Sequence, residues 1–177
     1  FYDLIAGVWT FKQVVHSTFK LALYANTLKL NNDGTVLVVG DRGYVWGFGQ
    51  PKFYFKGQGL VYTLVGGVWQ FTQGLAHPDY NETIFTTDEF AKTITISGDG
   101  DWICIGAALK GDESPKLGAL YFYKRNDGVW DYTQKYQAVN IYGLGSSLAM
   151  SGDGLTLFAA CVTQDDPNPS IGSVFAF

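Results

Sequence analysis

Charge is scarce in this chain. Asp, Glu, Lys and Arg make up 16% of its 177 residues, the net charge is −4, and no Lys/Arg cluster occurs. Neutralising phosphates takes a basic stripe, so the composition argues against nucleic acid or an anionic membrane surface as the main partner. Long apolar runs are missing as well; none approaches the roughly 20 residues of a membrane-spanning helix. Histidine occurs twice, at His16 and His77. Neither has a Cys or carboxylate at metal-ligand spacing, and no Gly-x-Ser-x-Gly elbow stands anywhere for them to serve. Both read as loop histidines on a solvated surface. Cysteine is equally sparse. Cys104 and Cys161 fall four and seven residues after the Gly of an Asp-Gly pair, and that opposite parity points them to opposite strand faces. They read as buried free thiols. Apolar residues spaced by three and four are also absent over any useful length, which disfavours helices.

What is abundant is apolar and aromatic: 47% hydrophobic, 16% aromatic, with 22 glycines, the signature of short strands joined by tight turns. One stretch occurs three times. Gly7-Val8-Trp9-Thr10-Phe11-Lys12-Gln13 returns as Gly67-Val68-Trp69-Gln70-Phe71-Thr72-Gln73 and as Gly128-Val129-Trp130-Asp131-Tyr132-Thr133-Gln134. A period of this size indicates stacked supersecondary units. Two more markers recur. Alternating strands end in Asp33-Gly34, Asp99-Gly100 and Asp153-Gly154, a strong hairpin signal. A glycine opens a further strand at Gly59, Gly118 and Gly172.

Each repeat therefore reads as four short antiparallel strands, the blade of a β-propeller. The expected architecture is all-β: three tandem four-stranded blades in one repeat domain, at about 18–76, 84–137 and 143–177 plus 1–16. The N-terminal Gly-Val-Trp strand and the C-terminal Gly172–Phe177 strand are expected to complete one blade, within a chain or between copies. Leu28, Leu30, Ile94, Ile96, Leu148 and Met150 are expected at the packing between blades, and each fourth-strand Trp over a blade face. Opening on Phe1, the chain reads as a processed product or a piece of something longer.

The order Ser97-Gly98-Asp99-Gly100, Ile105-Gly106-Ala107, Gly118-Ala119-Leu120-Tyr121-Phe122-Tyr123 is similar to the FG-GAP repeats of integrin α-subunit propellers and their bacterial and viral relatives. Ser151-Gly152-Asp153-Gly154 with Gly172-Ser173-Val174-Phe175 repeats it, and Asn32-Asp33-Gly34 with Val39-Gly40-Asp41 is a divergent version. The resemblance implies a propeller-type surface module. Calcium-binding members carry an Asp/Asn-rich loop between the first two strands. Here it has shrunk to a turn with Asp33, Asp99, Asp101 and Asp153, too few oxygens for Ca²⁺, so these read as turn formers and no cofactor or metal is expected. The Phe-Gly that names the family is missing; Phe90-Ala91 and Leu144-Gly145 stand in comparable places.

With no catalytic constellation in the sequence, the function expected is non-catalytic: an extracellular or surface module in a multi-copy structure (fibre, appendage or virion surface) or in adhesion. Its partners would be other copies of itself or flanking repeats, through Val8, Trp9, Phe11, Val174, Phe175 and Phe177. An alternative is a carbohydrate- or protein-binding adhesin using Tyr44, Trp46, Phe48, Phe53 and Tyr54 in the long loop 41–58. A third reading is a hydrolase with loop-borne carboxylates, drawn from Asp79, Glu82, Asp88 and Glu89. The acidic loop otherwise reads as solvated. Asn81-Glu82-Thr83 is a glycosylation sequon in a secretory context.

Overall fold

A computed structural model describes residues 1–16, 23–42, 44–46, 53–55, 57–79, 88–109, 117–137, 141–161 and 172–177. The chain is all-β in these residues. Strands β1 (Tyr2–Ile5) and β2 (Val8–Phe11) form a hairpin. Next come β3 (Leu23–Leu30) and β4 (Val36–Arg42), a small hairpin β5 (Tyr44–Trp46) and β6 (Phe53–Phe55), then β7 (Gln58–Val65) and β8 (Val68–Ala76). The third group is β9 (Thr93–Ile96), β10 (Trp102–Ala107), β11 (Ala119–Asn126) and β12 (Val129–Tyr136); β13 (Ser147–Met150), β14 (Leu157–Cys161) and β15 (Ser173–Ala176) end the chain. All ladders are antiparallel. The sheets run β3-β4-β7-β8, β9-β10-β11-β12 and β13-β14-β15, with β1-β2 and β5-β6 as two-stranded units.

No closed ring forms among the described residues, and of the two ways expected for completing the last blade the one within a chain does not occur: β2 pairs with β1, not with β15. The reason lies in residues 1–5, which carry the end of a third strand. Leu4 pairs Trp9 as Leu64 pairs Trp69 and Arg125 pairs Trp130. Loop 41–58, expected as a variable loop bearing the candidate binding aromatics, contains the β5-β6 hairpin. The glycine marker also slips: Gly59 pairs Gly40, whereas Gly118 precedes Ala119, which pairs Ala107. Gly57 is the position that matches Gly118.

The Asp-Gly turns explain the regular spacing. Asp99 Oδ1 accepts from Asp101 N at 2.9 Å and from Ser97 Oγ at 2.5 Å, and Ser97 Oγ accepts from Trp102 N at 2.9 Å. Asp153 with Ser151 repeats the pattern, and Asp33 with Thr35 and Asn31 supplies a variant. These Asp residues are turn formers, as the sequence suggested. Successive turns also bond to each other: Asn32 N donates to Gly98 O at 2.9 Å and Gly98 N to Gly152 O at 2.8 Å.

Three apolar clusters fill the gaps between sheets. Val36, Val38, Val61 and Leu75 meet Ile94, Ile103, Tyr123 and Trp130. Cys104 and Leu120 meet Leu144, Leu148, Leu157 and Ala159. Val39, Leu60, Tyr62 and Trp69 are covered by Phe1 and Val15. Ile94, Ile96, Leu148 and Met150 pack as expected, but Leu28 and Leu30 are 57% and 52% exposed. Their place in the series needs a first strand in the sheet ahead, and among the described residues that sheet consists of β1 and β2. Cys104 and Cys161 are free and buried.

Glycine is required where sheets touch most closely. A Cβ on Gly106 would collide with the Thr93 hydroxyl and the Gly145 carbonyl of the next sheet; one on Gly40 would meet the Ala91 carbonyl. The matching residue of the third sheet is Ala160, which no further described sheet faces. Gly106→Ala is expected to cost about 1–3 kcal/mol in urea unfolding, as overpacking does. Gly74→Ala, whose new Cβ meets its nearest neighbour at 3.6 Å, is expected to stay within about 0.5 kcal/mol.

Candidate functional site

The fourth strand of each sheet is an edge, and an edge leaves backbone N–H and C=O groups unpaired. Here a side chain pairs them. Gln73 Oε1 accepts from Trp130 N at 2.8 Å while Gln73 Nε2 donates to Trp130 O at 2.8 Å. Gln13 treats Trp69 identically, at 2.9 and 3.0 Å. A carboxamide presents one donor and one acceptor, the same pair a peptide group presents, so it substitutes for a neighbouring strand. Gln is therefore the residue type the position needs, and the recurrent Trp and Gln of the repeat are two halves of one joint.

A β-bulge aims the glutamine. Four residues separate Trp130 from Gln134, which on a regular strand puts both on one face. The register shifts between Phe122 and Tyr123, so that Tyr132 pairs Tyr123 but Gln134 pairs Phe122, leaving Thr133 as the extra residue. The same shift falls between Val61 and Tyr62, leaving Thr72 extra. In the N-terminal hairpin, Lys12 N and Gln13 N both reach Phe1 O, at 3.0 and 3.4 Å. The bulge turns the glutamine to the opposite face, towards the next sheet, while the tryptophan faces the previous one. Trp130 is 1% and Trp69 6% exposed. Trp130 Nε1 donates to Gly100 O at 3.0 Å, the Arg125 guanidinium lies 4.9 Å from its ring, and Phe1 meets Trp69 edge-on at 5.9 Å.

The third copy has neither half engaged. Trp9 is 69% exposed, so the expectation that every fourth-strand Trp covers a blade face fails for it: no described sheet precedes β2. Gln134, at the other end, lines an open cavity of about 300 Å³ with Trp102, Phe122, Tyr136, Met150, Leu157 and Phe177, and with Gly154 and Leu155 at the turn. This site escaped sequence reading because the glutamine's partner lies some sixty residues away; the fixed offset from Trp to Gln was its one visible trace.

His77 and the acidic loop depart from their solvated readings. His77 is 6% exposed: its Nε2 meets Asp88 Oδ2 at 2.9 Å, and its Nδ1 accepts from Asp79 N at 3.1 Å. The ring packs on Phe90 and Tyr121, which supplies the apolar surface that buries it. Asp79 accepts from Tyr121 Oη at 3.0 Å and pairs with Lys135 at 2.7 Å. Glu89 bridges Arg42 and Lys92 at 3.1 and 2.7 Å. Burial, with the Asp79 carboxylate beside it, pushes the Tyr121 phenol well up, and burial alone raises the Cys104 thiol and the carboxyl of Asp41, which Gln58 partly offsets. Among the described residues no group of three or more His, Cys, Asp or Glu could hold a metal.

The other nominated residues divide. Val8, Phe11, Val174 and Phe177 are exposed, and Phe175 packs partly against the cluster of Leu148 and Leu157. His16 is exposed. Of the aromatic loop, the register sets Tyr44 opposite Phe55, Val45 opposite Tyr54 and Trp46 opposite Phe53. Phe48, Asn81 and Glu82 lie outside the described residues.

Two predictions follow from this chemistry. Gln73→Ala should cost about 1–3 kcal/mol in urea unfolding, because Trp130 loses both partners, whereas Gln134→Ala in the monomer should stay within about 0.5 kcal/mol. The second concerns acid. Bonds from Thr35, Ser97 and Ser151 hold Asp33, Asp99 and Asp153 below the usual carboxylate range. A depressed carboxyl stabilises the fold above its unfolded value, about 3.9, and that contribution is lost as the pH falls through the folded value. Asp41, raised by burial, works in the opposite direction. Thermal midpoints are therefore expected to fall below about pH 4, and Asp99→Asn to make that acid limb shallower.

No protein-family model matches this chain. Among curated proteins it is similar to hexachlorocyclohexane dehydrochlorinase 1 of Sphingobium indicum, 30% identical over 82 residues, which are 43% of this chain and 53% of that protein. The chain thus spans about half the length of the curated relative it matches.

Proposed function

We propose that this chain is a non-catalytic repeat module of an extracellular or surface structure, whose work is assembly through the joints between its sheets. The observation that carries this reading is the repeated clasp: Gln13 on Trp69 and Gln73 on Trp130 use the same donors and acceptors at the same offsets. A joint that recurs unchanged along a chain suits addition of further units, as in solenoid and propeller arrays. The polar groups described above are spent on turns, joints and ion pairs that hold sheets in place.

The partial similarity to a dehydrochlorinase supplies the competing reading. Eliminating hydrogen chloride requires a base that can reach a C–H proton. His77 beside Asp88 is the pair to weigh. Its Nδ1 is occupied by the Asp79 N–H and its Nε2 faces Asp88, beneath Phe90 and Tyr121, which suits a buried structural pair better than a base open to substrate. Incubation of the purified chain with hexachlorocyclohexane is expected to release no chloride above the buffer blank. Turnover that disappears in His77→Phe, with the fold retained by circular dichroism, would overturn the non-catalytic reading.

A further inference from the structure

Asp-Gly occurs four times in the chain, at Asp33-Gly34, Asp99-Gly100, Asp127-Gly128 and Asp153-Gly154. This dipeptide is prone to rearrange its own backbone, because glycine has no side chain to hinder attack by its nitrogen. All four Asp residues are exposed, so exposure does not separate them. Bonding does. In three of the pairs both reacting groups are engaged. Asp99 Oδ1 accepts from Ser97 Oγ and Asp101 N, while Gly100 N donates to Ser97 O at 3.0 Å. Asp153 accepts from Ser151 Oγ and Leu155 N, and Gly154 N donates to Ser151 O at 3.0 Å. Asp33 accepts twice from Thr35, and Gly34 N donates to Asn31 O at 3.2 Å. The same donors hold these carboxyls ionised, below the usual carboxylate range, and an ionised carboxylate offers no leaving group.

Asp127-Gly128 is the exception. It forms the two-residue turn between β11 and β12, closed by the pairing of Asn126 with Val129. Among the described residues no hydrogen bond or ion pair reaches the Asp127 carboxylate, and Gly128 N donates to none. The neighbouring Asn126 Nδ2 donates to Asp131 instead, at 3.2 Å. Asp127 also stands at φ 49°, in the left-handed region, with Gly128 at 84°. Aspartate tolerates that region better than most residues, though not without strain. The matching turns carry Ala6-Gly7 and Gly66-Gly67, which adopt the same backbone and have no carboxyl to react.

We propose that Asp127-Gly128 is a site of spontaneous backbone modification, where isoaspartate forms and opens the joint at Trp130. The Gly128 nitrogen attacks Cγ of the Asp127 carboxyl in its acid form. A C–N bond forms, the carboxyl hydroxyl leaves as water with the proton of that nitrogen, and a cyclic succinimide closes. Water then adds to one of the two ring carbonyls. Opening at the side-chain carbonyl restores aspartate. Opening at the main-chain carbonyl leaves the backbone running through Cβ and Cγ, with the former main-chain carbonyl now a free carboxylate. Nothing is oxidised or reduced. The rearranged turn is longer by one backbone carbon, so it no longer closes the tight hairpin that sets Asn126 against Val129 and Arg125 against Trp130. Trp130 is thereby drawn away from the Gln73 carboxamide, from Gly100 O and from the Arg125 guanidinium. The Gly66-Gly67 turn cannot react in this way, and Trp69 stays on Gln13.

Ageing the whole chain at neutral pH and body temperature tests this, followed by digestion with an endoprotease that cuts before aspartate but not before isoaspartate. Each bond broken on the way to the ring slows closure about fivefold, so the three bonds in each engaged pair put Asp127 ahead by about a hundredfold. In the aged sample the Trp130 amide is expected to exchange quickly in the fraction of molecules that carries isoaspartate, while the Trp69 amide stays slow throughout. Asp127→Gly, which copies the Gly66-Gly67 turn, is expected to age with neither change. Isoaspartate spread evenly over the four pairs, or led by Asp33, Asp99 or Asp153, overturns the proposal. So does a chain that forms none in the time a free peptide of residues 124–131 is converted, or one that carries isoaspartate at position 127 with Trp130 still protected. None of these outcomes involves chloride release or an assembly partner, so this inference and the non-catalytic reading can fail separately.

Discussion

The structure depends on a carboxamide standing in for a peptide bond. Strands β8 and β12 carry outward N–H and C=O groups at Trp69 and Trp130 that need partners, and the glutamine of the preceding sheet provides both from one side chain. Without it every outer strand would be an open edge beside an apolar seam, the arrangement that invites uncontrolled pairing. At Trp69 and Trp130 it pairs the outward backbone groups and fixes one sheet to the next by a contact with direction: glutamine forward, tryptophan back.

The remaining features serve that joint. The bulge at Thr72 and Thr133 separates the two functions of one strand, sending Trp to one face and Gln to the other. The Asp-Gly turns hold the inner ends at constant spacing, and Asn32, Gly98 and Gly152 link them by backbone bonds. Gly40 and Gly106 let neighbouring backbones approach where a methyl would collide. Inner turn, mid-strand glycine and outer clasp thus fasten the β3-β4-β7-β8 sheet to the β9-β10-β11-β12 sheet at three levels, and apolar side chains fill the space between. Buried apolar area supplies most of the stabilisation, but the polar contacts determine which sheet face meets which.

Much of this was legible in the sequence. The threefold Gly-Val-Trp segment, the Asp-Gly hairpins and the alternating apolar strands give all-β, repeated sheets, because period-two patterns and turn residues are local signals. Partners distant in the chain were not legible. His77 looked exposed in its loop, and only the fold brings Phe90, Tyr121 and Asp88 around it. Leu28 and Leu30 share the pattern of Ile94 and Ile96 but are exposed, since their burial depends on a neighbouring sheet and not on their own strand. Residues 1–5 carry too little pattern alone to announce a strand, so β2 seemed free to pair elsewhere. The clasp was half visible: the sequence displayed the Trp-to-Gln offset without saying that each glutamine reaches the next tryptophan.

Backbone amide exchange at the three tryptophans tests the central claim most directly. The amides of Trp69 and Trp130 point away from their own sheets, and their protection rests on Gln13 and Gln73. In dilute monomer both are expected to exchange slowly, the Trp9 amide quickly, and Gln73→Ala to release Trp130 while leaving Trp69 protected. Equal exchange at all three positions, or slow exchange at Trp130 in Gln73→Ala, would contradict the account.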